Sequence, residues 1–232
     1  MHTTASSSTV DRAVSNLAPG RIVGGIGGLA FAAVVILQNL LRASAPAAGA
    51  APGDVISYYA SHRGITAVLA VTFAISGVAL AAFAGAMYDR LAHGRVRAAA
   101  FAGLVGIAGI VASFSLVVAT DVALSVYVGT GGASLDTTQA LWIVHNSVFA
   151  VLFLSIGIAV AGLSAAASAE GLLGAVWRPI GAIGGLLLAV GAAAAPAIAD
   201  GSKVMLVSLA GFLAWLAFVL AASVALLRES KG

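Results

Sequence analysis

The sequence has no cysteine and very few charged residues. Asp, Glu, Lys and Arg make up 8% of its 232 residues, whereas a soluble domain carries about 25%. Without cysteine, the chain forms no disulfide, no Cys-based zinc or iron-sulfur site and no thiolate nucleophile. With so little charge, it resembles no ordinary soluble domain. It also lacks the solvated basic face that nucleic-acid binding needs, although its net charge is +3.

Apolar sequence is what the chain has in abundance. Hydrophobic residues make up 61% of it, and the mean hydropathy is +1.10. An apolar run of about 20 residues crosses the hydrocarbon core as a helix, and every charged residue lies outside six such runs. The sequence predicts an all-α, polytopic transmembrane helical bundle. Its predicted spans are residues 22–41, 65–87, 98–120, 140–167, 179–198 and 204–227.

Lys and Arg concentrate on one side of this arrangement. Cytoplasmic loops carry the excess of these residues. With six spans, only Arg42, Arg63 and Lys203 of the 11 Lys and Arg residues fall on the other side. We therefore expect a plasma-membrane protein with both termini cytoplasmic. Its predicted parts are a flexible N-terminal tail (1–20), a transmembrane domain (21–228) and a C-terminal tail (229–232). The alternative is a cleaved signal peptide, because small residues at 43–45 follow the first run.

A short interfacial helix is predicted in the loop between the first two spans. Asp54 is suited to begin it and Gly64 to end it. Apolar and aromatic residues recur on one face at helical spacing. They are Val55, Tyr58, Tyr59 and His62. We expect the tyrosines to lie at the level of the lipid headgroups.

Two further signals indicate where later helices begin and end. Asp136 followed by Gln139 is typical of a capping box at the start of the fourth span. Pro196 is expected to end or kink the fifth span.

The fourth span carries the most polar stretch inside the predicted membrane region. It contains Trp142, His145 and Asn146, and these residues, with Trp215 of the sixth span, are the candidates to line a ligand-binding site. Polar and ionisable groups at such depth usually face the bundle and mark function. The alternative is that His145 is neutral and that it and Asn146 only bind neighbouring helices.

The position of Asp121 is open, because the apolar sequence continues beyond it to Tyr127. We expect an interfacial carboxylate, with Arg63 or Lys203 as its ion-pair partner. If the third helix is longer, Asp121 lies inside the membrane and joins the candidate ligand-binding residues.

Glycines occur in pairs at helical spacing inside the apolar runs. The chain has 28 glycines, and small residues let transmembrane helices pack closely. The predicted helix-packing positions are Gly24, Gly28, Gly103, Gly106, Gly181 and Gly185.

The sequence predicts no cofactor and no metal site. Haem ligation by His145 needs a second axial ligand at matching depth, and the other histidines, His2, His62 and His93, fall in the loops or the tail. His62 with Asp54, Asp136 or Asp200 has ligand types suited to a divalent ion but no diagnostic spacing.

Three segments carry a resemblance to known proteins. They are YYASHRG at 58–64, DTTQALW at 136–142 and WRPIG at 177–181. With the six apolar runs, they resemble the uncharacterised actinobacterial six-span integral membrane proteins that are grouped under domains of unknown function. The resemblance covers most of the chain and implies the six-span fold. It implies no catalytic residue.

The sequence favours a non-catalytic bundle that acts as an accessory subunit of a membrane-protein partner or as a homo-oligomer. Abundant small-residue faces and the lack of a secure intramembrane charge indicate this function. The alternative is a carrier or binding protein for a lipid or small apolar molecule. An intramembrane enzyme with His145 as general base is less favoured, because no hydrolase motif is present.

Overall fold

The structure, a computed structural model, describes residues 7–93 and 95–230, with side chains from Pro19 onward. The described residues form eight α-helices, which confirms the predicted all-α fold. The helices are α1 (Ser7–Leu41), α2 (Pro52–Ser61), α3 (Arg63–Leu91), α4 (Arg97–Gly129), α5 (Leu135–Ala169), α6 (Trp177–Ala193), α7 (Ala195–Ala199) and α8 (Met205–Glu229).

Five stretches within the described residues are long and apolar enough to cross a membrane. They are Pro19–Leu41 of α1 together with α3, α4, α5 and α8. The region of the fifth predicted span is divided into α6, a shorter apolar helix, and α7. Pro196 lies in the first turn of α7, where a residue without an N–H interrupts the helix, as the sequence predicts. The protein is therefore a multi-pass membrane protein.

Several helix ends differ from the predicted ones. Helix α4 continues past residue 120 to Gly129, because no helix-breaking residue intervenes. Gly131, with a φ of 76°, then ends it in the left-handed region that glycine tolerates. Helix α1 already begins at Ser7, inside the predicted flexible tail. Residues 1–6 of that tail and residues 231–232 of the C-terminal tail lie outside the described residues.

The helix start at α5 is also made differently from the prediction. The Ser134 side chain, rather than that of Asp136, accepts a hydrogen bond from the Thr137 N–H at 3.2 Å. Asp136 lies in the first turn, where its charge favours the positive end of the helix dipole.

The predicted helix in the first loop is present as α2, but its orientation was not foreseen. Pro52 begins it, and Gly64 lies in α3 rather than at its end. Tyr59 is only 2% exposed and faces the bundle. Tyr59 therefore packs against other helices rather than on the outer surface, and the depth of the tyrosines relative to the lipid headgroups stays a prediction.

Helices α1 and α3 pack together, α5 packs between α4 and α6, and α8 packs against α1, α5 and α6. The six predicted packing glycines are all buried between these helices. A Cβ atom placed on Gly106 would lie 2.7 Å from the Ser155 carbonyl oxygen in α5, and one on Gly185 would lie 2.9 Å from the Gly157 carbonyl oxygen. These faces are occupied within the chain itself.

An ion-pair network joins four helices at one end of the bundle, which we call the Arg90 end. Arg90 donates to both carboxylate oxygens of Glu229 at 3.0–3.2 Å and to the Glu170 backbone carbonyl at 3.2 Å. Arg21 lies 3.6 Å from Glu229. We call the opposite end, where α1 meets α2, the α2 end.

Candidate functional site

Four polar side chains from distant parts of the sequence meet near the α2 end. Arg42, which follows α1, lies with Nη1 3.0 Å from Oδ2 of Asp121 in α4, and its Nη2 donates to Oδ1 at 3.3 Å. Tyr59 of α2 donates to the same Oδ1 at 2.5 Å. The Arg42 Nη2 also lies 2.8 Å from Nε2 of His145 in α5. We call Arg42, Tyr59, Asp121 and His145 the polar cluster.

The hydrogen bonds define the protonation of His145. A guanidinium only donates, so Nε2 of His145 accepts from Arg42 and the ring proton resides on Nδ1. Nδ1 lies 3.0 Å from the Thr120 hydroxyl oxygen, which itself donates to the backbone carbonyl of Val117. The hydroxyl therefore accepts from Nδ1–H, and His145 is neutral.

The polar cluster is electrically balanced. Asp121 and His145 are each 3% exposed, and a charge at such burial requires a partner. Arg42 supplies the opposite charge for Asp121. Asp121 lies inside α4, which continues to Gly129, rather than at the end of the predicted span. Its ion-pair partner is Arg42, so the expectation of Arg63 or Lys203 is wrong.

The two tyrosines of α2 hold their protons tightly. Burial raises the pKa of Tyr59 well above its ordinary 10.0, and the neighbouring Asp121 charge and the hydrogen bond to Asp121 raise it further. Burial also raises the pKa of Tyr58. Tyr59 therefore remains a hydrogen-bond donor to Asp121 throughout the neutral pH range.

Trp142 connects the polar cluster to the loop above it. Its indole stacks on the His145 ring with centroids 4.9 Å apart and planes 5° apart, and its Nε1 donates to the Ala47 carbonyl at 3.3 Å. Asn146, one turn later, donates from Nδ2 to the Trp142 carbonyl at 2.7 Å. The loop between α1 and α2 is thereby held over the cluster.

A cavity of about 310 Å³ borders the polar cluster, and we call it the polar cavity. This volume lies at the lower limit of ligand pockets in proteins. Its lining includes Arg42, Asp121 and His145, with amide side chains from α1 and α5 and apolar residues from α4 and α5. The amide residues are Gln38, Asn39 and Asn146.

A second cavity, of about 160 Å³, shares part of its lining with the polar cavity, and we call it the apolar cavity. Its remaining lining is hydrophobic and comes from α1, α5 and α8. Leu206 and Leu209 of α8 line it and are 60% and 50% exposed on the bundle surface. The shared residues are Asn39, Phe114, Phe149 and Met205. The two cavities therefore adjoin at these residues; charged and amide side chains border the first, and mainly hydrophobic side chains border the second.

The structure brings four of the five predicted ligand-binding residues together. Trp142, His145, Asn146 and Asp121 all line the polar cavity. Trp215 does not lie among them. Its indole is 1% exposed and packs against Phe31 and Phe218 in the core between α1 and α8.

Sequence reasoning missed Arg42, Tyr59 and Gln38. The sequence places Arg42 in a loop, as a charge that sets topology, although Gln38 and Arg42 are one helical turn apart. This polar pair at the end of an apolar run was the available signal for an inward-facing surface. Tyr58 and Tyr59 are adjacent in α2, and the sequence does not show which of the two faces the bundle.

No three His, Cys, Asp or Glu residues in the described part of the chain lie close enough together to hold a metal ion. Comparisons with protein-family models, with curated proteins and with solved structures give no significant match.

Proposed function

We propose that the protein binds a small amphiphilic molecule in the joined polar and apolar cavities. The observation that carries this proposal is the shared lining of a polar cavity beside Arg42, Asp121 and His145 and a hydrophobic cavity that reaches the bundle surface at α8. A ligand head would lie against the polar cluster and its chain would lie among the phenylalanines. This deepens the carrier or binding function that the sequence offers as an alternative.

The interaction function that the sequence favours has less support. Its motivation is the abundance of small-residue faces, and the six glycines named for it are buried against helices of the same chain. Binding of a protein partner or a second copy therefore needs another surface. Catalysis by His145 also has less support, because both ring nitrogens already have hydrogen-bonding neighbours, Arg42 and Thr120.

We also propose that the chain crosses the plasma membrane six times, with both termini cytoplasmic, as in the family it resembles. Helix α6 runs antiparallel to α8: Gly184 lies against Ala214, and Gly191 lies against Ser208. This is the packing expected of a helix that crosses beside α8. Arg42 pairs with Asp121 and is not a free loop charge. Without Arg42 in the count, the excess of Lys and Arg at the Arg90 end is larger.

The binding proposal is tested by filling the polar cavity. Val118 of α4 lines that cavity, so Val118→Phe narrows it. Val105→Phe is the matched control, because Val105 lies on the exposed surface of the same helix. We expect native mass spectra of the protein in nanodiscs to retain added dodecanol in the wild type and in Val105→Phe, and to lose it in Val118→Phe.

The probes for this experiment are dodecanol, dodecylamine, dodecanoate and methyl dodecanoate. Retention of none of them by the wild-type protein would overturn the binding proposal. Equal retention by Val118→Phe and the wild type would also overturn it, because the ligand would then occupy another site.

A further inference from the structure

The strongest unexplained feature of the polar cavity is the side chain of Gln38. It is 4% exposed and lines the cavity, and its Oε1 is buried without a hydrogen-bond partner in the described part of the chain. A buried carbonyl oxygen without a donor is costly. Because Gln38 belongs to the cavity wall, a molecule that occupies the cavity can supply that donor.

The orientation of the Gln38 amide follows from its other contact. The Thr72 hydroxyl donates to the Leu69 carbonyl at 3.1 Å, and in this arrangement its oxygen accepts a hydrogen bond. The Gln38 Nε2, 3.3 Å from the Thr72 hydroxyl oxygen, is the donor. The amide oxygen then has no donor, and Nε2 keeps one N–H that is not bonded to Thr72.

Two more amides of the cavity lining have the same arrangement. Asn39 donates from Nδ2 to the Val35 carbonyl at 2.8 Å, and Asn146 donates to the Trp142 carbonyl at 2.7 Å. Backbone carbonyls only accept, so both amides are oriented without ambiguity and each keeps its Oδ1 as an acceptor. Each of the three amides thus retains an oxygen with two lone pairs and one N–H that these bonds do not use, so lone pairs outnumber donors among the amide groups of the lining.

The charge of the cluster does not favour an anion. Arg42 is the cation of the cavity, and its two terminal nitrogens already contact the Asp121 carboxylate. An anionic head would compete with a carboxylate that is already in place, and it would also face the amide oxygens. A neutral or cationic head that donates hydrogen bonds meets neither difficulty.

We infer that the ligand's polar end is a hydrogen-bond donor, a hydroxyl or an amine on an apolar chain, and that Gln38 Oε1 accepts from it. This inference rests on the proposed binding function and specifies its ligand class. Carboxylates and esters lack the required donor at neutral pH. Gln38 is then the residue that determines specificity for the head group.

The test compares the four probes on the wild-type protein in nanodiscs, with dissociation constants from native mass spectrometry. We expect dodecanol and dodecylamine to bind about tenfold more tightly than methyl dodecanoate and dodecanoate, the ratio expected for one buried hydrogen bond. Equal binding of all four probes, or tighter binding of dodecanoate, overturns the donor inference and leaves the binding proposal standing. Binding of none overturns both.

Two variants connect the preference to Gln38. Gln38→Leu keeps the approximate volume and removes the acceptor, so we expect it to weaken binding of dodecanol about tenfold and to leave methyl dodecanoate unchanged. Thr72→Val is the matched control, because it removes the partner of Nε2 and keeps Oε1. An unchanged preference in Gln38→Leu would contradict the assignment to Gln38.

Discussion

At the scale of single residues, the ion pair of Arg42 and Asp121 can be tested by removing one charge at a time. Removing one partner of a buried ion pair leaves the other charge uncompensated, which costs about 3 kcal/mol of unfolding free energy. We therefore expect Asp121→Asn to destabilise the protein by about that amount in thermal unfolding. The control is Asp54→Asn, at an exposed position of α2, which we expect to change little.

A double variant separates the charge from the packing. Arg42→Gln combined with Asp121→Asn removes both charges, and we expect it to recover part of the stability lost in Asp121→Asn. If the double variant loses more unfolding free energy than the two single variants together, the two charges do not compensate each other as described.

Tyr59 gives a second prediction at this scale, for the alkaline pH range. Its pKa is raised in the folded state, so the folded protein binds this proton more tightly than the unfolded chain does. The resulting stability is present below pH 10 and is lost as the pH rises above the ordinary pKa of tyrosine, 10.0.

The measurement is tyrosinate absorbance in the wild type and in Tyr59→Phe. We expect equal absorbance for the two folded proteins up to about pH 11, and a difference of one tyrosine after denaturation. The denatured proteins serve as the control, because unfolding exposes Tyr59 to water. If folded Tyr59→Phe shows less tyrosinate absorbance than the folded wild type below about pH 11, the burial of Tyr59 is contradicted.

The site was only partly predictable at this scale for a physical reason. Trp142, His145 and Asn146 were found because polar residues inside an apolar run are costly and therefore informative. The pairing of Arg42 with Asp121 joins residues far apart in the sequence, and neither residue type indicates its partner. Only the packing of α1 against the other helices brings them together.

At the scale of helices, α4 and α5 approach closely at Gly106, and adding one methyl group there tests how much this contact contributes to stability. A Cβ on Gly106 would meet the Ser155 carbonyl oxygen at 2.7 Å and the Ala159 Cα at 2.8 Å, both backbone atoms of α5. We expect Gly106→Ala to force α4 away from α5 and to lower the unfolding free energy by about 2 kcal/mol.

The matched control for this change is Gly85→Ala in α3. A Cβ on Gly85 meets nothing within 4 Å, so alanine there should be neutral or slightly stabilising, by about 0.5 kcal/mol. Thermal unfolding of both variants in the same nanodiscs gives the comparison. Similar melting temperatures for the two variants would mean that α4 and α5 tolerate separation.

Hydropathy predicted the helices well and their ends poorly. Apolar runs report burial in lipid, so five of the six predicted spans coincide with long apolar helices. The ends depend instead on local geometry, such as the positive φ of Gly131 that ends α4. For this reason Asp121 was placed at a helix end, although it lies inside the helix.

At the scale of the whole molecule, the lack of native cysteine makes topology directly measurable. Single cysteines introduced at Ser44, Lys203 and Ser230 can each be labelled with a membrane-impermeant maleimide. With six crossings and cytoplasmic termini, we expect labelling of Ser44→Cys and Lys203→Cys from outside the cell. Ser230→Cys should be labelled only after the membrane is opened.

The alternative outcomes each have a definite meaning. If α6 does not cross the membrane, Lys203→Cys and Ser44→Cys become accessible from opposite sides. If the whole pattern is inverted, the excess of Lys and Arg does not determine the orientation of this protein.

The exposure of Leu206 and Leu209 beside the apolar cavity has one more consequence. A ligand that enters between the helices from this side arrives from the lipid, so its mole fraction in the bilayer governs occupancy. Each added CH₂ contributes about 0.8 kcal/mol to partitioning from water into the bilayer. It contributes little to occupancy of the cavity if the end of the chain lies in lipid both when the ligand is bound and when it is free in the bilayer. Homologous alcohols of increasing length would then differ widely in aqueous affinity and share nearly one affinity per mole fraction of membrane.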